Sequence, residues 1–399
     1  MRISIVYRYF HPDTPPYATM LKDMVGWLAE AGHDVRMITA QPSYKPEAGI
    51  PRQPWRETLE GVAIRRLPLL PERGRGPLRR INSLLFVVLA SLTVIFSPRR
   101  DLIWTASMPP VFQGALLRLA AALKGSRFLY HVQDIYPEIA LVSGLMREGR
   151  VARWLKAVDA RTIAAADAVV VPGEDMAASL EARGGPAAPV SVISNFAIGA
   201  DHMVENDADS VRQGAVRFIF AGNLGRFQNL EKLVEAFGRV DPAHARLDLL
   251  GDGEMRAALE DSVRRLGIGN VAFHGFKQPE EAFRQIRASD VAVISLDKGI
   301  ARYAFPSKTL TYLAAGRPLL AFVAADCSLA RMIADAGAGV VLDARATPAE
   351  VARQIEAAAG ADLKRMKEGA RALSRIFSLD RTREKWLSLM DSLQENRVP

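Results

Sequence analysis

Two glycines near the middle of the chain have the spacing of a phosphate-binding turn. Gly222 and Gly225 follow an apolar run at 218–221, which predicts a buried strand, and they precede a helix predicted from Asn229 onward, where apolar residues recur at i, i+3, i+4 and i+7. A glycine turn that leads into a helix start presents backbone N–H groups to an anion, because no Cβ blocks the approach. Ordinary strand-to-helix turns share this pattern, so an anion site and a plain connection both remain open.

A second cluster combines a cation with a helix start. Pro306, Ser307 and Lys308 open a helix predicted at 307–315, after a loop that contains Gly299 and Arg302. A hydroxyl, an ammonium and helix N-terminal amides at one point would suit a diphosphate. The alternative is a capped helix with a solvated lysine.

Two further turns in the same half carry weaker signals. Gly251 and Gly253 flank Asp252 after a predicted strand, but an isolated G-x-G is weak evidence for a ligand. Phe276 follows the strand predicted at 270–274 and should be exposed beside backbone groups. That position would make it a platform for a nucleobase.

The first half of the chain has one candidate proton carrier. His131 lies near the end of a strand predicted at 128–132 and is followed by Asp134, Tyr136 and Glu138. An imidazole at the carboxyl end of a strand, oriented by Asp134, could hydrogen-bond a sugar hydroxyl or move a proton. A lone histidine is also often structural, and that interpretation stays open.

Absent motifs argue against several chemistries. The six histidines and one cysteine form neither an H-E-x-x-H nor a cysteine-pair pattern, so we expect no metal. The sequence contains neither G-x-x-x-x-G-K-[ST] nor G-x-S-x-G, and its first turn lacks a dinucleotide fingerprint. An NTPase, a hydrolase and a dehydrogenase are therefore disfavoured.

Alternating strands and helices must position these loops. A βαβ unit occupies 2–39, and six predicted strands alternate with six helices from 217 onward. We predict two doubly wound α/β domains, 1–198 and 199–378, with a polar linker at 200–214 and a closing helical segment at 379–399. Ligands in such sheets bind outside the carboxyl ends of the strands, so the two Rossmann-like domains should face a central cleft.

The composition is that of a folded globular protein. Of 399 residues, 49% are hydrophobic and 24% are charged. The single Cys327 excludes an internal disulfide and suits a reducing compartment. Residues 1–10 resemble a strand more than a signal peptide, which predicts a cytoplasmic protein. The formal net charge of +8, without a nucleic-acid-binding motif, favours an anionic small molecule or membrane face as partner.

Segment 78–100 is unusually apolar. Arginines at 79, 80, 99 and 100 flank an apolar run at 84–96. A membrane span needs about 20 apolar residues, so this run is short for one. It predicts either a buried core helix or a helix lying in the membrane interface, held by its flanking arginines; a single span is a third possibility.

The ordered motifs GNLGRFQNLEKLVEAF, LLGDGEMRAAL, VAFHGF, SDVAVISL and PSKTLTYLAAGRPLL resemble the GT-B glycosyltransferases of retaining family 4. More narrowly, they resemble bacterial members that build O-antigen, capsule or exopolysaccharide. The opening RISIVYRYFHPDTPPYATMLKDMVGWLAEAGHDVRMITA resembles that family's first βαβ unit, so the resemblance covers nearly the whole chain. It implies a GT-B fold, with the donor mostly on the C-terminal domain, the acceptor on the N-terminal domain, and a last helix that crosses back.

The resemblance also implies roles for individual residues. The catalytic residues would be His131, which would hold the donor sugar near the reacting carbon, Asp134, which would orient His131, and Lys308, which would bind the donor diphosphate. The other implied donor-binding residues are Gly222, Asn223, Gly225, Arg226, Gln228, Asn229, Gly251, Phe276, Tyr303, Pro306, Ser307, Thr309 and Thr311. The implied acceptor-binding residues are Tyr9, Thr14, Tyr17 and Glu138.

Two positions depart from the family's pattern. Asn223 and Gln228 stand where many members have an Arg and a Lys, which leaves Arg226 as the nearby cation. Tyr303 and Thr311 stand where many members have two glutamates, the second of which commonly binds the ribose. Lys308 should therefore supply most of the positive charge at the diphosphate.

Together these features imply a retaining glycosyltransferase. It would move a sugar, an N-acetylated or deoxy hexose, from a UDP-linked donor to a polyprenyl-diphosphate-linked saccharide in cell-surface polysaccharide synthesis. No cofactor and no nucleic acid are expected, and the protein should be peripheral at the inner face of the cell membrane. The alternatives are a nucleotide-sugar epimerase and a catalytically inactive, membrane-bound accessory subunit.

Overall fold

The computed structural model describes residues 1–13, 16–44, 50–72, 76–185, 188–197, 214–297 and 299–395, without the side chains of Pro16, Pro77 and Phe227. Thr14 and nearly all of the predicted linker at 200–214 lie outside the described residues. The chain forms two compact units. We call Met1–Ile198, Tyr303–Phe305 and Leu379–Pro399 the N-terminal unit, and Gly199–Arg302 with Pro306–Ser378 the C-terminal unit.

The N-terminal unit contains an eight-stranded sheet in the order β3-β4-β2-β1-β5-β6-β7-β8. Its strands are β1 (Arg2–Val6), β2 (Asp34–Ala40), β3 (Arg56–Leu59), β4 (Val62–Leu67), β5 (Leu102–Ala106), β6 (Arg127–His131), β7 (Ala168–Val171) and β8 (Val190–Val192). Its first six helices are α1 (Pro16–Glu30), α2 (Pro77–Phe96), α3 (Phe112–Leu123), α4 (Glu138–Val142), α5 (Arg150–Ala164) and α6 (Glu174–Ala182). All strand pairs are parallel except β3 with β4.

Two apolar layers cover this sheet. Alternate residues of a strand point to opposite faces, so Trp104 of β5 packs in one layer and Ile103 in the other. Because both faces are covered, β5 and β7 are buried along their whole length. This is why parallel strands appear in the sequence as short continuous apolar runs.

The C-terminal unit contains a six-stranded parallel sheet in the order β11-β10-β9-β12-β13-β14. Its strands are β9 (Val216–Ala221), β10 (Ala245–Leu250), β11 (Val271–Gly275), β12 (Val291–Ser295), β13 (Leu319–Val323) and β14 (Gly339–Asp343). Its helices are α7 (Leu230–Phe237), α8 (Arg256–Leu266), α9 (Pro279–Arg287), α10 (Lys308–Ala314), α11 (Ser328–Asp335), α12 (Pro348–Ala359) and α13 (Leu363–Ser374). All six strands lie within about a residue of the predicted positions.

The last helix, α14 (Leu379–Glu395), packs in the N-terminal unit. Its Trp386 stacks on Trp104 of β5, with ring centroids 4.4 Å apart, and Met390 and Leu393 are buried in the same layer. The Thr382 hydroxyl donates to the Ser194 carbonyl at 3.4 Å. The segment therefore completes the core of a unit whose sheet lies at the other end of the sequence.

Helix α2 has two unlike sides. Phe86, Val87, Ala90 and Val94 are buried in the N-terminal core, whereas the opposite side is exposed. By length and composition alone, Leu78–Phe96 is apolar enough to cross a membrane, with a mean hydropathy of 1.7, yet 39% of that stretch is buried within the protein. Of the alternatives left open for this segment, a buried core helix therefore describes one side of α2 only.

The stacked tryptophans generate a stability prediction. Trp386→Ala should cost about 3–5 kcal/mol, because a large aromatic side chain leaves a cavity against Trp104. Chemical denaturation followed by near-ultraviolet circular dichroism would measure the loss. Ser388→Ala, an exposed change on the same helix, is the matched control and should alter stability by less than about 0.5 kcal/mol. Equal effects of the two changes would contradict a structural role for the stack.

Candidate functional site

The end of β9 is anchored to helix α10. Ala221 donates its N–H to the Tyr312 hydroxyl at 2.8 Å, and the Tyr312 hydroxyl donates to the Ala221 carbonyl at 3.2 Å. Tyr312 is buried, so this pair of hydrogen bonds is shielded from water. It fixes the turn that starts at Gly222 against the helix that starts at Lys308.

The two glycine turns of the C-terminal unit pack directly on each other. A Cβ at Gly251 would overlap the Gly222 carbonyl, and one at Gly253 would lie 2.7 Å from the Leu224 nitrogen. Gly222 and Gly251 also have φ values of +132° and +133°, which side-chain-bearing residues rarely adopt. The G-x-G at 251–253, a weak signal in the sequence, is therefore explained by close packing of turn against turn.

This packing uses some of the amides that the sequence predicted to be free. Gly222 donates its N–H to the Leu250 carbonyl at 2.8 Å, and Leu224 donates to the Asp252 carbonyl at 2.9 Å. The helix predicted from Asn229 onward begins one residue later, and a short turn that was not predicted precedes it. A 3-10 turn at Arg226–Gln228 comes first, Asn229 then takes a left-handed conformation with φ of +44°, and α7 begins only at Leu230. The 3-10 turn was not predicted because three residues are too few to show a helical period in the sequence.

The side chain of Lys308 packs against the turn that starts at Gly222. Its ammonium lies 3.6 Å from the centroid of the Phe220 ring, and a Cβ at Gly222 would come within 2.7 Å of its Cε. With the Gln228 amide oriented so that its oxygen faces the ammonium, Lys308 donates to Gln228 Oε1 at 3.2 Å. Burial lowers the pKa of Lys308 to about 7. Gly222 thus has a second reason to be glycine: the lysine occupies the space of its side chain.

The other predicted cation is already paired. Arg226 forms an ion pair with Glu254, and both side chains are more than half exposed. Such surface pairs contribute about 0–1 kcal/mol, so the pair can open when a stronger anion arrives. Asn223 lies beside Gly225, where a Cβ would approach its amide nitrogen to 2.7 Å. The amide of Asn229 donates to the Leu296 carbonyl at 3.3 Å.

The start of α10 brings several predicted donor-binding residues together. Pro306 and Ser307 precede the helix, and Ser307 is exposed. Thr309 is fully buried, and within the described part of the chain its hydroxyl has no hydrogen-bond partner. Thr311 is half-buried on the same helix. Phe276, directly after β11, is 58% exposed, as a nucleobase platform requires.

Tyr303 was predicted in the C-terminal domain, but it packs in the N-terminal unit. Its carbonyl accepts a hydrogen bond from the Ile135 N–H at 2.8 Å, and its ring packs on the apolar core. The adjacent Ala304 bridges Asp134. Tyr303 and Ala304 thus pair with two residues that follow β6, and the donor-binding role given to Tyr303 by its alignment with a glutamate stays a prediction.

His131 is the centre of a buried polar network in the N-terminal unit. Its Nδ1 is 3.0 Å from the Tyr7 hydroxyl and 2.9 Å from the Tyr17 hydroxyl, and its Nε2 is 2.6 Å from the Gln133 amide. Gln133 in turn exchanges hydrogen bonds with Asn195. The ring is 1% exposed, and burial lowers its pKa to about 3. His131 is therefore neutral, and the prediction that Asp134 orients it is wrong because other groups hold both ring nitrogens.

Asp134 has a different environment from the one predicted. Its N–H donates to the Ser107 hydroxyl at 3.3 Å, and burial raises the pKa of its carboxyl to about 6. Tyr7, Gln133 and Asn195 were missed in the sequence, although each follows directly or within three residues the end of β1, β6 or β8. The carboxyl-end rule that singled out His131 could have found them as well.

The predicted acceptor-binding residues separate into distinct contacts. Tyr17 joins the His131 network, whereas the Tyr9 hydroxyl accepts a hydrogen bond from Arg79 of α2 at 3.1 Å. Glu138 is buried and pairs with Arg183 at 3.1 Å. Arg183 also holds Asp159 at 3.1 Å, so Glu138 belongs to a structural ion-pair cluster rather than an open surface.

A metal site is not evident in the part of the chain that the structure describes. Across these residues, no group of three or more His, Cys, Asp or Glu side chains is arranged to hold an ion. Cys327 is buried at the start of α11, where its sulfur accepts from the Ala330 N–H at 3.4 Å. This lone thiol acts as a helix cap.

Two sequence families match the chain. The Glycosyl transferase 4-like domain matches residues 17–195, and Glycosyl transferases group 1 matches residues 215–360. A protein of Escherichia coli (strain K12) named as a colanic acid biosynthesis glycosyl transferase, WcaI, is 27% identical over 335 residues, which are 79% of this chain and 82% of that protein.

Solved structures share the fold at low identity. Sucrose-phosphate synthase from Thermosynechococcus elongatus superimposes with a TM-score of 0.73 at 17% identity, over 99% of each chain. HepE of Anabaena, in complex with UDP, has a TM-score of 0.71 at 15% identity, over 98% of this chain and 100% of its own. Its complex with UDP-glucose gives 0.69 at 17%, with the same coverage.

Two Rossmann-like units with these matches define a glycosyltransferase of the GT-B class. The chain belongs to the glycosyltransferases that carry a glycosyl transferase 4-like domain followed by a glycosyl transferases group 1 domain. The predicted fold class and the prediction of a glycosyltransferase are confirmed.

The packing of the two turns generates the next prediction. Gly251→Ala should destabilise the protein by at least about 2 kcal/mol, because its Cβ would meet the Gly222 carbonyl from a left-handed backbone conformation. Thermal unfolding would measure the loss. Gly269→Ala, whose added Cβ would meet nothing within 4 Å and whose φ is not positive, is the matched control. An unchanged unfolding midpoint for Gly251→Ala would refute the proposed contact.

Proposed function

We propose that the enzyme transfers a sugar from a nucleoside diphosphate sugar, UDP-linked, to a polyprenyl-diphosphate-linked saccharide, with retention of anomeric configuration. The C-terminal unit binds the donor diphosphate, and the N-terminal unit binds the acceptor. The sugar is an N-acetylated or deoxy hexose, and the product is part of a cell-surface polysaccharide.

One observation carries the donor assignment: Lys308 is a half-buried cation without an acidic partner. Among the described residues no carboxylate pairs with its ammonium, and burial alone accounts for the lowered pKa. An ammonium that has lost part of its hydration is stabilised when an anion binds, because the anion replaces the lost solvation. A diphosphate over Gly222 would meet this ammonium, with Arg226 released from Glu254 as a second contact.

The relatives support the choice of donor and product. HepE, which shares the fold, binds UDP and UDP-glucose, and WcaI is named for colanic acid biosynthesis. Phe276 supplies an exposed aromatic surface for the base, and the unpartnered Thr309 hydroxyl supplies a buried polar group near Lys308 on the same helix.

The proposed chemistry needs no covalent nucleophile. The bond between the anomeric carbon and the diphosphate oxygen breaks, and a bond from the acceptor hydroxyl to that carbon forms on the same face. The acceptor proton passes to the departing diphosphate. Lys308 stabilises the charge that develops on the leaving group, which is a transition-state interaction.

In the N-terminal unit, His131 is proposed to hold a sugar hydroxyl rather than to carry a proton. With a pKa of about 3 it stays neutral at physiological pH, so it offers one acceptor and one donor nitrogen. Tyr7 and Tyr17 fix Nδ1, and Nε2 would exchange the Gln133 amide for the substrate hydroxyl. No metal or other cofactor is part of the proposal.

The lipid-linked acceptor is supported by α2. A substrate with a polyprenyl tail resides in a membrane, and the exposed apolar side of α2 is a suitable surface for meeting it. We therefore place the enzyme at the inner face of the cell membrane as a peripheral protein.

The function is tested by transfer of a labelled sugar from UDP-sugars to a polyprenyl-diphosphate saccharide, with product stereochemistry read by NMR. Lys308→Ala should lower kcat by about 10²–10³-fold, the usual cost of removing one group that stabilises developing charge. His131→Ala should lower kcat/KM by at least about tenfold through lost positioning. Lys277→Ala, a lysine of the same unit paired with Glu281, and His244→Ala, an exposed histidine, are controls. Full activity of both site variants would show that the site is assigned wrongly.

The lowered pKa of Lys308 predicts how donor affinity depends on pH. UDP-glucose is a suitable ligand because its diphosphate does not titrate near neutrality. The bound anion stabilises the ammonium, so its pKa rises on binding. Above pH about 7 binding must therefore take up a proton, and affinity should fall as pH increases, by at most about tenfold per pH unit. Below pH 7 the lysine is already charged and affinity should level off.

Calorimetry between pH 6 and 9 would measure this effect. Lys308→Met should bind more weakly at pH 6 and lose the pH dependence, whereas Lys277→Met should keep both. A wild-type affinity that is constant over this range would argue against Lys308 as the diphosphate ligand.

A further inference from the structure

Three helices of the N-terminal unit form one continuous outer surface. Helix α2 packs beside α3, and α3 packs beside α5. The rings of Phe112 on α3 and Trp154 on α5 lie 6.0 Å apart, so the exposed sides of these two helices meet. We call the outward side of α2, α3 and α5 the helical face.

The α2 part of the helical face is apolar along its length. Its exposed residues after Arg80 are Ile81, Leu84, Val88, Leu92 and Phe96, with exposures from 43% to 83%. Spacings of three and four residues place them in one stripe. The outward side of a helix that meets only water is polar, so this stripe indicates a partner.

The apolar surface continues beyond the segment singled out in the sequence. The exposed residues of α3 are Phe112, Leu116, Leu119, Ala122 and Leu123, all apolar. On α5, Val151 and Trp154 are 65% and 54% exposed. Single exposed apolar side chains are ordinary on protein surfaces, but a contiguous set across three helices marks an interaction site.

The charge on these helices selects the partner. Their one acidic residue, Asp159, is buried and paired with Arg183. Their basic residues are Arg79, Arg80, Arg118, Arg150, Arg153, Lys156 and Arg161. An apolar surface with basic neighbours complements anionic lipid headgroups above acyl chains. A second copy of the chain would instead bring positive charges together.

We propose that the helical face docks on an anionic phospholipid surface, with α2 lying in the plane of the interface rather than crossing the bilayer. A spanning α2 would have to withdraw Phe86, Val87, Ala90 and Val94 from the N-terminal core. If α2 lies in the plane of the interface, these four residues stay in the core and lipid covers only the exposed side of the helix. The inference deepens the proposed function by naming the membrane-binding surface, and it rests on that function for the choice of a membrane.

Co-sedimentation with vesicles of phosphatidylcholine and phosphatidylglycerol tests the role of α3, which lies outside 78–100. The double variant Leu116→Glu/Leu119→Glu should lower the bound fraction at least about tenfold, as should Leu84→Glu/Val88→Glu on α2. Leu266→Glu, at a site 52% exposed on the C-terminal unit, is the matched control and should bind like wild type. Binding should also weaken without phosphatidylglycerol or at high salt.

Quenching of tryptophan fluorescence by brominated lipids tests α5 independently. Wild type should be quenched on binding; Trp154→Phe should lose most of that quenching, and Trp55→Phe, which removes a tryptophan 49% exposed elsewhere in the unit, should retain it. The thermal unfolding midpoint and the circular dichroism spectrum of every variant check that the fold is intact.

Several outcomes would overturn the proposal. If the α3 double variant binds vesicles like wild type and Trp154 is not quenched, α2 acts alone. If the α3 variant instead changes the mass measured by light scattering while vesicle binding is unchanged, the face joins two copies of the chain. If wild type binds vesicles as expected but transfers no sugar to the lipid-linked acceptor, the docking surface stands and the proposed function fails.

Discussion

The proposed donor site depends on the contact between two glycine turns. Strands β9 and β10 are neighbours in the C-terminal sheet, and their following turns meet so closely that the Gly222 carbonyl occupies the space of a Gly251 side chain. The contact fixes the backbone of Gly222, which lies next to Lys308, and the hydrogen bond from the Ala221 N–H to the Tyr312 hydroxyl fixes the preceding residue. Because Lys308 fills the space beside Gly222, a change in the shape of the turn would also move the ammonium. A cation held this way is oriented before the anion arrives, so less ordering is needed on binding.

The N-terminal unit achieves a similar rigidity with aromatic rings. His131 lies among Tyr17, Trp104 and Trp386, and the last of these comes from α14 at the far end of the chain. Deep burial makes the imidazole neutral, and the two tyrosine hydroxyls hold one of its nitrogens. The consequence is chemical as well as structural. A neutral, fixed imidazole is suited to binding a hydroxyl, whereas proton transfer at neutral pH requires a pKa closer to 7.

Helix α2 shows why an apolar segment is hard to interpret in isolation. Its inner residues complete the core, and its outer residues extend a surface shared with α3 and α5. At its start, Arg8 forms a buried ion pair with Glu72, and Asn82 donates to the same carboxylate at 2.8 Å. The helix is therefore joined to the loop after β1, where Tyr7 contacts His131. The surface proposed to meet lipid is thus built on elements that are joined to the polar network.

The sequence by itself determined the alternation of strands and helices, because apolar runs and turn residues are local signals that survive burial. It also identified Lys308 and His131, since chemistry-bearing residues at strand ends and helix starts can be recognised without knowing their neighbours. Only the tertiary structure decided what each of them contacts. The amides of Gly222 and Leu224 donate to residues at or just after the end of β10, because β10 lies next to β9. The ring nitrogens of His131 are held by Tyr7, Tyr17 and Gln133 rather than by Asp134. The carbonyl of Tyr303 accepts from Ile135. These partners come from segments distant in the chain, and strand order and loop packing, which bring them together, leave no periodic signal in the residues themselves.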